Sequence, residues 1–293
     1  MRDMTGYGRH IPPIKWPNNA RLAVNFVINY EEGAEHTPVN GDTHCETYGA
    51  EFPLAAKPEG MRSLSIESLY EYGSLRGIWR LLKLFDQQHI PLTFFVTGHA
   101  LTLNPELCLY LKQHTHEVAG HGWRWIDYAT LSAAEEMRHI SQCLETLHRL
   151  TGKAIQGWYT GRCSTNTRQL LQAHQSLCYD SDSYADDLPY YINQHLIIPY
   201  SLDCNDFRFT TNPGFNTSED FFHHLKNTLT YLHQEKQPAI MSIGLHPRIS
   251  GRPGRCHAIK KFLAYLARFP DIWITRRIDI ARYWRNHFPP PCN

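Results

Sequence analysis

The stretch Leu22-Ala23-Val24-Asn25-Phe26-Val27-Ile28 runs straight into Asn29-Tyr30-Glu31-Glu32-Gly33. An apolar run of this length, bounded by polar turns, is a buried strand. Two acids and a glycine follow it, so titratable chemistry sits where the strand stops. The same order of residues recurs down the chain. Residues 92–97, 155–159, 177–182, 196–202, 239–245 and 272–275 read as further strands. Between them lie helical stripes. Ile78, Leu81, Leu82 and Phe85 follow the i, i+3, i+4, i+7 pattern, and Pro91 stops that helix. Ser132 and Glu135 form a capping box that opens a helix with Met137, Ile140, Leu144 and Leu147 on one face, closed by Gly152. Ser218 is expected to cap a helix through Phe222, Leu225, Leu229 and Leu232, and Ile259, Phe262, Leu263 and Leu266 mark another. Strands alternating with helices imply parallel pairing, hence a (β/α) barrel or a doubly wound sheet.

In both architectures the C-terminal ends of the strands line the active site. Glu31-Glu32, His121, Arg162, Asp182 and His246 each sit just after an expected strand. Separate strands delivering capable side chains to one rim argue for an enzyme.

Composition removes other classes. The 293 residues suit one catalytic domain spanning 1–293, and 42% apolar content supplies its core. A net charge of +1, with acids and bases intermixed, leaves no electrostatic footprint for nucleic acid. The longest apolar runs, 92–96 and 196–199, are too short to span a bilayer. Residues 1–16 carry no apolar signal core, so a cytoplasmic location is expected. The 8 cysteines show no CxxC pair and are expected as free thiols. Residues 31–62, rich in Gly, Pro, Thr and Glu, form a long irregular segment of the kind that walls or covers a site. A short tail of about 287–293 contains Pro289-Pro290-Pro291.

The clusters have a pattern of their own. Glu31-Glu32-Gly33 is a paired acid before glycine; Thr93-Phe94-Phe95-Val96-Thr97-Gly98 is a buried strand; Gly120-His121-Gly122-Trp123-Arg124-Trp125 carries a histidine and, four residues on, an indole. Gly157-Trp158-Tyr159-Thr160-Gly161-Arg162, Tyr179-Asp180-Ser181-Asp182-Ser183 and Gly244-Leu245-His246-Pro247-Arg248 follow. In this order they resemble the motifs of the polysaccharide deacetylase (NodB-homology) superfamily. Longer stretches resemble its metal-independent, allantoinase-like branch: Ile66-Glu67-Ser68-Leu69-Tyr70-Glu71-Tyr72-Gly73-Ser74, Asp186-Asp187-Leu188-Pro189-Tyr190, Ile198-Pro199-Tyr200-Ser201-Leu202-Asp203, Asn205-Asp206 and Gly251-Arg252-Pro253-Gly254-Arg255. The resemblance covers nearly the whole chain. It implies an α/β fold, a distorted barrel of seven or eight (β/α) units, and a homo-oligomer, tetrameric in that branch.

The resemblance also assigns roles. The first acid, Glu31, corresponds to the base, and the second, Glu32, to a metal ligand. The family's metal-binding second histidine is Trp125 here. An indole N–H is a donor only, and a catalytic zinc site wants three protein ligands plus water. Glu32 and His121 alone would hold a divalent ion poorly, unless His36 or His44 supplied a third ligand. A site without metal or other cofactor is therefore expected, with Trp125 in the vacated position.

Branch members open the ring of allantoin, so the expected partner is a small cyclic ureide. That reaction needs an activated water, a stabilised oxyanion and a proton for the leaving nitrogen. Glu31 is assigned the base, with Glu32 pushing one carboxyl toward neutrality. His121 would orient the water or donate to the oxyanion. Arg162, held by Asp182, would bind a substrate carbonyl, and His246 would protonate nitrogen. Glu32, Trp125, Asn205 and Tyr159 complete the substrate-binding set. Two other readings stand beside this one: a metal-dependent N-deacetylase of an acetylated amino sugar, and a catalytically silent binding relative.

Overall fold

Strand β1, Leu22–Tyr30, is buried along all nine residues because apolar layers cover both its faces. The computed structural model describes residues 4–51 and 56–290. Residues 1–3 of the N-terminal segment, 52–55 of the long segment and 291–293 of the expected tail lie outside the described residues. On one edge β1 pairs in parallel with β8, Ala239–Leu245. On the other it meets β2, Leu92–Val96, from Phe26 onward, while β9, Trp273–Ile274, takes the same edge earlier, at Ala23 and Val24. The parallel order continues through β3 (Glu117–Gly120), β4 (Gly157–Trp158), β5 (Tyr179–Asp180) and β7 (His195–Ile197). A final strand, β6 (Tyr190–Ile192), pairs with β7 antiparallel.

This sheet curls. Asn205 forms a parallel bridge to Gly244 of β8, and the Gly244 N–H donates to the Cys204 carbonyl at 3.0 Å. One bridge, not a full ladder, links the β7 side back to β8. The result is the expected α/β fold, a curled half-barrel of the distorted (β/α) type.

Helices surround it: α1 (Leu64–Tyr72), α2 (Ile78–Asp86), α3 (Gly98–Thr102), α4 (Pro105–Gln113), α5 (Ala133–Thr151), α6 (Thr167–Gln172), α7 (Ser218–Glu235), α8 (Pro247–Ser250), α9 (Pro253–Leu266) and α10 (Arg277–His287). The Ser132 capping box opens α5, and Gly152 closes it at a φ of 69°, as expected. For α7 the expectation shifts by one residue: Thr217, not Ser218, caps the helix, in a box with Asp220. The stripe through Phe85 continues backward, because α1 and α2 join through a π-helical turn at Gly73–Gly77. A Cβ on Gly73 would strike the Glu32 carboxylate and the Arg248 backbone, so this turn comes as close to the strand rim as a backbone can. None of the helices of the described residues is long and apolar enough to cross a membrane.

Four strands are markedly shorter than their apolar runs, among them β9, which keeps only Trp273 and Ile274 of 272–275. The runs 155–159 and 177–182 supply only two ladder residues each, and 196–202 shares with β7 only Leu196 and Ile197. For these three the reason lies in the residues after each ladder, whose backbone groups turn to build the rim. The Thr160 and Gly161 N–H groups donate to the Asp182 carboxylate instead of to a strand. β6 was not apparent in the sequence. Its hairpin to β7 turns at Asn193, where φ is 55°.

The floor of the barrel holds Arg277, which is fully buried. Its guanidinium donates to Asn25 Oδ1 at 3.1 Å, to the Ser242 and Ser181 hydroxyls at 2.7 and 2.9 Å, and to the carbonyls of Ile198 and Pro199 at 2.6 and 2.9 Å. These oxygens lie on opposite sides of the sheet, so one side chain ties the curl together beneath the rim. The seven described cysteines are free.

Candidate active site

The rim is built by the residues that follow β1, β3, β4, β7 and β8. They surround a cleft of roughly 450 Å³, including the part open to solvent. Glu31, His121, Trp125, Tyr159, Arg162, Asn205 and His246 all line it. Glu32 and Asp182 do not.

Glu31, buried at the end of β1, is the hub. His121 Nε2 lies 3.1 Å from Glu31 Oε1, and His246 Nε2 lies 3.3 Å from the same oxygen. The other nitrogen of each imidazole is anchored. His121 Nδ1 faces the Tyr159 carbonyl at 2.5 Å, and a carbonyl can only accept, so Nδ1 carries a hydrogen. His246 Nδ1 faces Asp206 Oδ1 at 2.6 Å, while Asp206 Oδ2 accepts the His246 and Ser250 backbone N–H groups. Glu31 Oε2 meets Arg248 Nη1 at 2.7 Å.

The electrostatics separate the two partners. Burial alone would raise the Glu31 carboxyl, but Arg248 and then His246 outweigh it and hold it well below the ordinary carboxylate range. Burial opposes charge on His246, yet Glu31 and Asp206 together push the imidazole up to about 9. Near neutrality the cleft therefore presents an ionised carboxylate beside a protonated imidazole, an acceptor and a donor of protons side by side. Burial and the Glu31 charge, against the pull of Arg248, raise Glu32 to about 7.

The structure corrects several expectations. Glu32 is absent from the cleft wall; its oxygens accept the Glu31 and Arg248 backbone N–H groups at 3.0 and 3.2 Å, so it supports the rim from behind. Asp182 does not hold the Arg162 side chain. It accepts the backbone N–H groups of Thr160 and Gly161 and so shapes the turn that leads to Arg162. The Arg162 guanidinium pairs instead with Glu46 of the long segment at 3.0 Å and lies over Tyr48 and Trp125, 5.2 and 5.1 Å from the ring centroids. Part of that segment therefore walls the cleft. Trp125 is flanked by two guanidinium groups, Arg162 and Arg248, the latter at 5.2 Å. Tyr159 stacks on His121 with centroids 5.2 Å apart and bonds its hydroxyl to Tyr184 at 2.9 Å. Asn205 uses Oδ1 to accept the Phe207 N–H, leaving its amide NH₂ toward Tyr200 at 3.4 Å.

A divalent ion does not fit this donor set. His121 and Glu31 are engaged with each other, Glu32 points to backbone, and Trp125 offers no lone pair. His36 pairs with Asp42 at 3.2 Å and packs on His44, so neither supplies a third ligand. Among the described residues, the one group whose ligand atoms converge is Asp203, Cys204 and His224, which includes none of these.

Two functional residues escaped assignment from sequence. Asp206 and Arg248 were visible only as parts of longer stretches. The available signal was position: Arg248 stands two residues after the strand-end His246, in the first turn of α8.

Comparison with known proteins agrees with this fold. The polysaccharide deacetylase family model matches residues 61–180. A Schizosaccharomyces pombe protein named as a polysaccharide deacetylase is 36% identical over 98% of both chains. The crystal structure of Puue allantoinase is 43% identical, covers 98% of each chain and superposes with a TM-score of 0.95. That of a Pseudomonas aeruginosa PAO1 protein named as a polysaccharide deacetylase is 44% identical over 98% of this chain and 99% of the other, also with a TM-score of 0.95. Likeness to a named relative over the full length, on a shared barrel, leaves one conclusion: the chain belongs to the polysaccharide deacetylase family, hydrolases of C–N bonds.

Proposed function

We propose that this chain opens the cyclic amide of allantoin to give allantoate, using side chains alone. The observation that carries the reading is the Glu31–His246–Asp206 line, an ionised carboxylate and a protonated imidazole in contact at the rim. A water held against Glu31 Oε1 and His121 Nε2 attacks the ring carbonyl and passes one proton to Glu31. The oxygen that gains charge meets the Arg162 guanidinium, whose donors are preorganised by Glu46. As the C–N bond breaks, His246 Nε2 gives its proton to the leaving nitrogen. Glu31 then returns the captured proton to His246 across their 3.3 Å contact, and the pair is reset. The low proton affinity of Glu31 makes it a weak base, so positioning of the water supplies much of the rate.

The cleft suits a flat molecule rich in amide groups. Trp125, Tyr159 and Tyr48 line it with aromatic surface, and Arg162 and Asn205 line it with donors. The relative named an allantoinase supports the substrate; the relatives named polysaccharide deacetylases favour a second reading, N-deacetylation of an acetylated amino sugar. A panel of allantoin, other hydantoins and acetylated sugars, each assayed with and without a strong chelator, separates them. The expected result is ring opening of allantoin unchanged by chelator. Turnover of acetylated sugar only, or activity lost to chelator and restored by zinc, rejects the proposal.

A further inference from the structure

Arg248 is buried in the first turn of α8, yet it is fully charged and unusually placed. Its Nη1 lies 2.7 Å from Glu31 Oε2 and 3.9 Å from Glu32 Oε1. Its Nε, Nη1 and Nη2 make no directed hydrogen bond among the described residues, and Glu31 Oε2 makes none either. The contact is therefore one of charge against charge, not a bidentate fork. The guanidinium plane is held from its faces, over Tyr70 at 4.5 Å and Trp125 at 5.2 Å from the ring centroids. It is absent from the cleft wall and lines instead a separate small void with Glu46, Tyr48 and Tyr70. Arg248 thus reaches the reacting atoms only through Glu31.

Two carboxyl groups lie adjacent and buried here, and the imidazoles of His121 and His246 face only Glu31, so a further positive charge between Glu31 and Glu32 is favourable. A small dication would meet that need with lone pairs directed at it. Here the aromatic faces of Tyr70 and Trp125 turn toward the space, and such faces favour a broad, weakly hydrated organic cation. A guanidinium also cannot dissociate or lose its proton near neutrality.

We propose that Arg248 is a positioning residue and the built-in cation of this site, its guanidinium taking the place beside Glu31 and Glu32 that a divalent ion would otherwise take. It balances the paired carboxylates and aims Glu31 Oε1 at the cleft. The inference rests on reading the cleft as hydrolytic, but not on the identity of its substrate.

Cobalt(II) absorption tests it without any assay of turnover. The wild-type protein is expected to show no cobalt bound through Glu31. Arg248→Ala, with the same circular dichroism as the parent, is expected to gain one site roughly 100-fold tighter than any in the wild type, lost again when Glu31→Gln is added. Stoichiometric cobalt in the wild-type protein that Glu31→Gln removes overturns the proposal, and so does a folded Arg248→Ala that gains no site. Should the alanine variant not fold, Arg248→Met preserves an apolar stack and is held to the same two outcomes. Arg248→Lys keeps a cation and is expected to exclude cobalt as the parent does; cobalt bound in Arg248→Lys also counts against the proposal. In turnover, Arg248→Ala is expected to lose at least about 10-fold in kcat with KM changed less than about 3-fold, and added methylguanidinium to restore part of it. A KM effect without a kcat effect contradicts a role through Glu31. If allantoin is not turned over at all, the substrate reading fails while the cobalt result still decides the cation.

Discussion

His246 Nδ1 lies 2.6 Å from Asp206 Oδ1, and the opposite nitrogen of the same ring lies 3.3 Å from Glu31 Oε1. One imidazole is thus clamped between two buried carboxylates. The clamp fixes both its orientation and its charge, and it links the β8 rim to the segment that bridges back from β7.

The clamp has a signed pH consequence. Burial would lower the His246 pKa, but Glu31 and Asp206 raise it to about 9, so the proton needed by the leaving group is present below that value and lost above it. The Glu31 carboxylate, held well below its usual range, stays ionised through the same window. We expect kcat/KM to fall as pH rises through about 9. Asp206→Asn removes one of the raising charges and should move that limb down by about one to two pH units. An unmoved basic limb in a folded Asp206→Asn protein would exclude His246 as the acid.

Among the described residues, Glu31 is the only carboxylate on the cleft wall. Glu31→Gln keeps the size of the side chain and removes the acceptor of the water's proton. Turnover should fall by about 10²–10⁴ with substrate affinity little changed. Near-parental kcat would show that another group takes the proton.

Arg162 and Glu46 form a pair 3.0 Å apart across the cleft wall, and their roles should be coupled. Arg162→Met should lower kcat/KM by about 10²-fold, as the loss of a preorganised donor does elsewhere. Glu46→Gln should cost less alone and almost nothing once Arg162 is gone. Additive effects in the double-mutant cycle would mean that Glu46 does not act by orienting Arg162.

Arg277 bears on stability, not chemistry. Arg277→Met would leave Asn25 Oδ1 and the Ile198 and Pro199 carbonyls, buried oxygens from two parts of the sheet, without a donor, at about 1–3 kcal/mol for each one unsatisfied. A loss of at least about 3 kcal/mol in urea unfolding is expected. A midpoint equal to that of the parent would show that the barrel floor closes without it.

Much of the architecture was legible in the residues. The strand at 239–245 and the helix from Ser132 to Gly152 occupy the expected positions, because a long apolar run and a complete pair of caps are local signals. The short strands were overread for the opposite reason: apolar character continues past the ladder where residues such as Tyr159 and Tyr200 pack on each other inside the barrel. The π-turn at Gly73 has no local signature, since only the approach of Glu32 and Arg248 demands it.

The candidate site divides along the same line. The sequence by itself determined that Glu31, His121, Arg162 and His246 stand at strand ends, since a parallel barrel brings every such end to one rim. Only the tertiary structure decided who faces whom: that Arg162 meets Glu46 and not Asp182, that Glu32 turns to backbone, and that Arg248 and Asp206 flank Glu31 and His246. Such pairings join residues far apart in the chain, and their charges interact strongly because burial removes the water that would screen them, a condition no local pattern encodes.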